Sequence, residues 1–156
     1  SLAVVLKEQQ EHMQGGQCES LATDLSERIL AKAKAGIYSQ FEVQRGLPIR
    51  MLIKYFRQNG DKWHMDSGVR SMVDFKPFNL LEHPRALGRF DVILCRNVLT
   101  YFDQPTKAKT LSHIADVLAK DGVLYLGLSE TVMGVSEEFK AIPDMRGLYQ
   151  HADADL

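Results

Sequence analysis

At 156 residues, with 45% hydrophobic and 25% charged side chains and a formal net charge of −1, the chain has the make-up of an ordinary globular domain with one core. That balance gives no whole-chain electrostatic argument for nucleic acid or an anionic membrane surface. No apolar run approaches the ~18–20 residues of a membrane span, so direct membrane insertion is not expected.

Two cysteines, Cys18 and Cys95, lie far apart and fit a reducing cytoplasm better than a disulfide framework. The five histidines share no close ligand spacing with each other or with cysteine, and no metal site is expected. Ser1-Leu2-Ala3-Val4-Val5-Leu6-Lys7 has neither a basic leader nor a cleavage pattern, which argues against a signal peptide.

In chain order, residues 1–13 are expected to form a helix that opens without a cap, its buried face set by Leu2, Val5 and Leu6 and its end by Gly15-Gly16. Cys18–Thr23 reads as a short strand. Residues 26–36 form the next helix, with Ser26 as N-cap, Leu25 and Leu30 as a hydrophobic staple, Ile29, Ala33 and Ile37 facing inward, and Gly36 as the stop. From 38 to 76 the character changes. Gly46 and Pro48 interrupt any long helix, and Asn59-Gly60-Asp61 between Tyr55–Gln58 and Lys62–Met65 signals a hairpin. Val73–Phe78 is extended, so residues 40–76 are expected to form a small antiparallel insert.

Phe90–Cys95 is a nearly continuous apolar strand, expected to be covered on both faces, with Cys95 a buried thiol. Asp103 caps a helix with Pro105 in its first turn, and Leu111, Ile114, Ala115 and Leu118 follow at helical spacing up to Gly122. Val123–Leu128 is the next strand, and Phe139–Ile142 with Gly147–Gln150 closes as an antiparallel hairpin. The rhythm predicts a doubly wound α/β domain over 1–150 and a frayed tail over 151–156.

In an open α/β sheet, ligands bind outside the carboxyl ends of the strands. Asp24 stands at one such end, where a carboxylate accepts hydrogen bonds from both hydroxyls of a ribose; beside Ser26 it is equally suited to helix capping. Asn79 offers an amide edge for an adenine ring, with Leu80 to pack against it, or serves as a turn residue. Arg96, Asn97 and Tyr101 form a polar cluster directly after a buried strand. They must reach solvent or be paired, because burying them unpaired is costly.

The segments Ala22-Thr-Asp-Leu-Ser26, Ala33-Lys-Ala-Gly-Ile-Tyr38, Phe78-Asn-Leu-Leu81, Phe90 to Asp103 (FDVILCRNVLTYFD) and Gly127-Leu-Ser-Glu-Thr131 resemble, in order, the signature of the CheR-type chemotaxis receptor glutamate methyltransferases. The most specific is Cys95-Arg-Asn-Val-Leu-Thr-Tyr-Phe-Asp103. The resemblance implies a Rossmann-like class I fold that uses S-adenosylmethionine and releases S-adenosylhomocysteine. It places Asp24 on the ribose, Asn79 and Leu80 around the adenine, and Arg96, Asn97 and Tyr101 beside the sulfonium and the incoming substrate, with Arg96 and Tyr101 in catalytic roles. It also implies that the insert faces the receptor, whose cytoplasmic helices are the partner.

The family's glycine-rich loop, the strand before it and a helical N-terminal domain have no counterpart among these residues. The fold is therefore expected to be incomplete, leaving a sheet edge open to self-association. Residues 45–76 carry seven basic side chains against three acidic ones, a local excess suited to an acidic receptor helix. Two other readings stay open: a methyltransferase of this fold acting on a small molecule or RNA, and a non-catalytic signalling module. A nicotinamide-dependent reductase is disfavoured, since no Gly-x-Gly-x-x-Gly follows a strand.

Overall fold

Ser26 and Gly36 bracket a helix as expected, and the computed structural model, which describes residues 2–10, 12, 16 and 18–154, shows how. The Ser26 hydroxyl accepts the Ile29 N–H at 3.4 Å, while Gly36, at φ 64° and ψ 31°, donates to the carbonyls of Lys32 and Ala33. A side chain at Gly36 would meet Arg70 Cδ at 2.4 Å, so both its conformation and its packing call for glycine.

The chain divides into two compact units, Ser1–Asn79 and Leu80–Leu156. In the first, α1 (Leu2–Gln9) precedes β1 (Ser20–Asp24), α2 (Glu27–Ala35), β2 (Ile37–Ser39), α3 (Gln40–Gln44) and α4 (Ile49–Tyr55). Then come β3 (Phe56–Asn59), β4 (Lys62–Met65), α5 (Ser67–Arg70) and β5 (Val73–Pro77). β1 and β5 run parallel, and β2-β4-β3 form an antiparallel sheet. The expected hairpin is present: Asn59 pairs with Lys62 across the loop Gly60-Asp61, with Gly60 at φ 60°. The core of this unit is built from Ala3, Val4, Val43, Leu52, Tyr55, Phe56 and Val69.

Several expectations change here. α1 stops at Gln9, short of residue 13, and Gly15 of the expected stop lies outside the described residues. The first strand is shifted to Ser20–Asp24, and Leu2 and Val5 are exposed while Ala3 and Val4 are buried. Leu25 is 73% exposed beside a buried Leu30, so the staple is not made; Ile29 and Ile37 are also exposed. Helical spacing fixes which residues share a face, but a neighbour decides which face is covered, and Leu30 holds the inner position. The insert is also less purely β than expected, since α3 and α4 precede its hairpin and α5 follows it.

In the second unit, a 3-10 turn (Pro84–Leu87) leads to β6 (Phe90–Cys95), a second 3-10 turn (Leu99–Tyr101), α6 (Gln104–Val117), β7 (Leu118–Leu126), β8 (Phe139–Ala141) and β9 (Leu148–His151). The strand order is β6-β7-β9-β8, with β6 and β7 parallel and β9 antiparallel to both of its neighbours. Asp103 caps α6 by accepting the Thr106 N–H at 3.0 Å. Leu111, Ile114, Leu118, Leu124, Leu126, Phe139 and Tyr149 fill the core.

α6 ends at Val117 instead of running to Gly122. β7 begins at Leu118, and its register with β6 moves from Phe90↔Leu118 to Val92↔Val123, so the irregularity absorbs the residues between. Gly122 thus lies inside a strand. β7 ends at Leu126, leaving Leu128 exposed. β6 is covered on one face: Cys95 joins Leu111 and Ile114 in the core, while Val92 and Leu94 are exposed. His151 belongs to β9, not to a tail, and residues 155–156 lie outside the described residues.

Candidate active site

Each unit carries a parallel strand pair whose carboxyl ends coincide, and the predicted site residues stand at those ends. In the first unit β1 and β5 run in register from Ser20↔Val73 to Asp24↔Pro77. The Asp24 carbonyl accepts the Phe78 N–H at 3.1 Å, which closes this edge, and its Oδ1 accepts the Ser26 N–H at 2.8 Å. Asp24 therefore supports the start of α2 while standing at the carboxyl end of the β1–β5 pair. Asn79, half-buried, follows two residues after Pro77 and is engaged in interactions of its own. An acidic acceptor and a carboxamide at one such edge are a donor–acceptor set that fits a nucleoside.

In the second unit the register of β6 and β7 ends at Cys95↔Leu126, so the loops beginning at Arg96 and at Gly127 leave the same edge. Glu130 ties them together. Its Oε2 accepts the N–H groups of Asn97 at 2.7 Å and Gly127 at 2.8 Å, and its Oε1 those of Val98 at 2.9 Å and Thr100 at 3.2 Å. Burial opposes ionisation of this carboxyl, but the four backbone donors outweigh it and hold its pKa below the ordinary value. Sequence reasoning had given Glu130 no role. The available signal was a lone acidic residue in the turn after an apolar strand, where the facing loop needed acceptors for its N–H groups.

The backbone here is special in two places. Asn97 adopts φ 59°, a left-handed conformation that asparagine tolerates better than most residues. A side chain at Gly127 would lie 2.5 Å from Asn97 Oδ1 and 2.6 Å from Glu130 Oε2, so glycine is needed for the close approach. The result is a tightly held loop that presents exposed side chains: Arg96, Asn97 and Tyr101, the last 83% exposed. Beneath it, Leu99 is buried and Leu80 packs against the same core. Cys95 is buried as expected; burial, then the nearby Glu130 charge, pushes its thiol up to about 12.

Arg96 packs against an aromatic ring. Its guanidinium lies 4.9 Å from the centroid of the half-buried Tyr125 ring on β7. Among the described residues no group of three or more histidine, cysteine, aspartate or glutamate side chains could hold a metal ion.

Residues 1–148 match the family described as CheR methyltransferase, SAM binding domain. The chain belongs to the CheR methyltransferase family. It is 37% identical over 133 residues to a chemotaxis protein methyltransferase of Pseudomonas putida, covering 85% of this chain and 48% of that one. Against a chemotaxis protein methyltransferase of Vibrio anguillarum it is 39% identical over 122 residues, covering 78% and 44%. A chemotaxis protein methyltransferase of Borreliella burgdorferi is 36% identical over 137 residues, with 86% and 48% covered. The chain spans about half the length of these curated relatives. The family is one of S-adenosylmethionine-binding methyltransferases, and the three sheets are those of an incomplete Rossmann-like member of it. Among the described residues no helix is long and apolar enough to cross a membrane.

Proposed function

We propose that this chain is the cofactor-binding part of a cytoplasmic enzyme that converts glutamate side chains of chemotaxis receptors to methyl esters. The observation that carries the reading is the Glu130-bound loop, which presents Arg96, Asn97 and Tyr101 at the carboxyl edge of a parallel pair in a CheR-family chain. S-adenosylmethionine, when bound, supplies an electrophilic methyl group on sulfur. Asp24 is the acceptor for its ribose hydroxyls, Asn79 and Leu80 are its adenine contacts, and Asn97 is a further cofactor contact.

The acceptor glutamate, with an ordinary pKa near ~4.3, is already ionised at neutral pH. No general base is therefore needed, and the protein's task is alignment. Well-oriented reactants recover roughly 7–11 kcal/mol of a bimolecular barrier. Arg96 steers the carboxylate, and Tyr101 lines the path of the methyl group. A tight Arg96 ion pair would stabilise the ground state as well, so its benefit lies in direction and not in strength. The basic side chains of residues 45–76 meet the acidic surface of the receptor's cytoplasmic helices.

Calorimetric titration with S-adenosylhomocysteine tests the cofactor assignment. It should be run on this chain and on a form extended upstream through the family's glycine-rich loop. Binding by the extended form that Asp24→Ala abolishes is expected; binding unaffected by Asp24→Ala contradicts the ribose assignment.

A further inference from the structure

We infer that Tyr125 is a positioning residue for methyl transfer, its ring holding the Arg96 guanidinium in the direction from which it meets the acceptor carboxylate. The inference rests on the methyltransferase reading above, but its geometric basis stands apart from it.

Arg96 begins the loop after β6, is exposed, and forms no salt bridge within 4 Å among the described residues. A long side chain in that setting samples many rotamers, and fixing it has an entropic cost. What restrains it is the Tyr125 ring, 4.9 Å from its Cζ. The choice of an aromatic face has a chemical consequence. A carboxylate partner would occupy the guanidinium donors and offset its charge, competing with the substrate for both. A ring face attracts the cation through its quadrupole and leaves the in-plane N–H donors free for a carboxylate.

Tyr125 is itself well fixed. It lies between Leu124 and Leu126, both fully buried, and is paired on both sides, with Leu94 of β6 and Leu148 of β9. At the entry to β9, Gly147 adopts φ 82°, and a side chain there would stand 3.1 Å from Tyr125 Cε2. The backbone at Gly147 thus closes against the ring edge, and only glycine leaves room for it. The ring is wedged by backbone at its edge and faces Arg96, while Glu130 holds the N–H of the next residue, Asn97. Side chain and backbone are restrained by two separate devices around one functional group.

The test compares Tyr125→Phe, which keeps the ring face, with Tyr125→Leu and Tyr125→Met, which remove it. In the chain itself, NMR should show the Arg96 side-chain protons shifted upfield by the ring in wild type and Tyr125→Phe, and returned to ordinary positions in Tyr125→Leu. In the upstream-extended enzyme, with a receptor cytoplasmic fragment as substrate, Tyr125→Leu should lower kcat about 5- to 30-fold, a range a cation–π contact supports. Tyr125→Phe should stay within about 2-fold, with affinity for S-adenosylhomocysteine unchanged in both. In an Arg96→Ala background, Tyr125→Leu should cause no further loss, because its partner is already gone.

If Tyr125→Leu does not fold, Tyr125→Met carries the same comparison. An unshifted Arg96 in wild type, full activity in a folded non-aromatic variant, or additive losses in the double variant each overturn the inference. If the wild-type enzyme transfers no methyl group, the methyltransferase reading fails, and the NMR comparison still decides whether Tyr125 orients Arg96.

Discussion

Glu130 accepts the backbone N–H of Asn97 at 2.7 Å across 33 residues of sequence, and with its other contacts joins the loops after two neighbouring parallel strands. An acceptor-only group is well suited to this task, since each carboxylate oxygen receives two N–H donors. Glu130→Gln replaces one oxygen with an NH2 group, which faces N–H groups it cannot satisfy. Unsatisfied buried donors cost about 1–3 kcal/mol, so the variant should unfold at correspondingly lower urea. Its loss of methyl transfer should exceed what reduced stability explains at temperatures where it remains folded.

Gly127→Ala tests the same junction sterically. The added methyl group would sit within 3 Å of Asn97 Oδ1 and Glu130 Oε2. Neither neighbour can withdraw freely, since both belong to the loop junction. A destabilisation of about 1–3 kcal/mol is expected by thermal or urea unfolding, the usual cost of overpacking.

The two thiols should differ in reactivity. Cys95 is buried and its thiol is pushed up to about 12, whereas Cys18 is half-buried. Thiolate is the reactive form. A thiol reagent at pH 8 should therefore label Cys18 in the native chain and reach Cys95 only after denaturant is added; prompt native labelling of both would contradict the packing around β6.

α3 provides a pH-dependent contribution. The Ser39 hydroxyl accepts the Glu42 N–H while the Glu42 carboxylate accepts from Ser39, a reciprocal cap. The Lys32 ammonium, then the Ser39 N–H and hydroxyl, lower the Glu42 carboxyl to about 2. Because the folded value is depressed, the stabilisation is present in full above the ordinary value near 4.5 and is lost as pH falls through about 2. The stability gap between wild type and Glu42→Gln should be constant from pH 7 to about 5 and close progressively toward pH 2.

Much of this was legible locally. Ser26, Gly36, Gly60 and Asp103 act through backbone conformation and short-range hydrogen bonds, so the sequence announces them. The run Phe90–Cys95 followed by Arg96-Asn97 marked a strand end with an exposed polar cluster, because an apolar strand cannot carry such a cluster without an outlet. What was not legible depends on distant partners. Glu130 and Tyr125 acquire their roles only because the Cys95↔Leu126 register sets one loop beside the other. The end of α6 was misplaced because Leu118 fits a helical spacing and a strand start equally well. The staple at Leu25 failed for a similar reason, since spacing supplied a candidate contact and packing did not use it.

Methyl transfer to a receptor glutamate can be measured with the upstream-extended protein, a receptor cytoplasmic fragment and methyl-labelled S-adenosylmethionine. The expected result is label on the fragment that is released as methanol by mild base, as a glutamate methyl ester requires, and that falls strongly, to a low but measurable level, with Arg96→Ala. Base-stable label, or no label from an enzyme that binds S-adenosylhomocysteine, would contradict it.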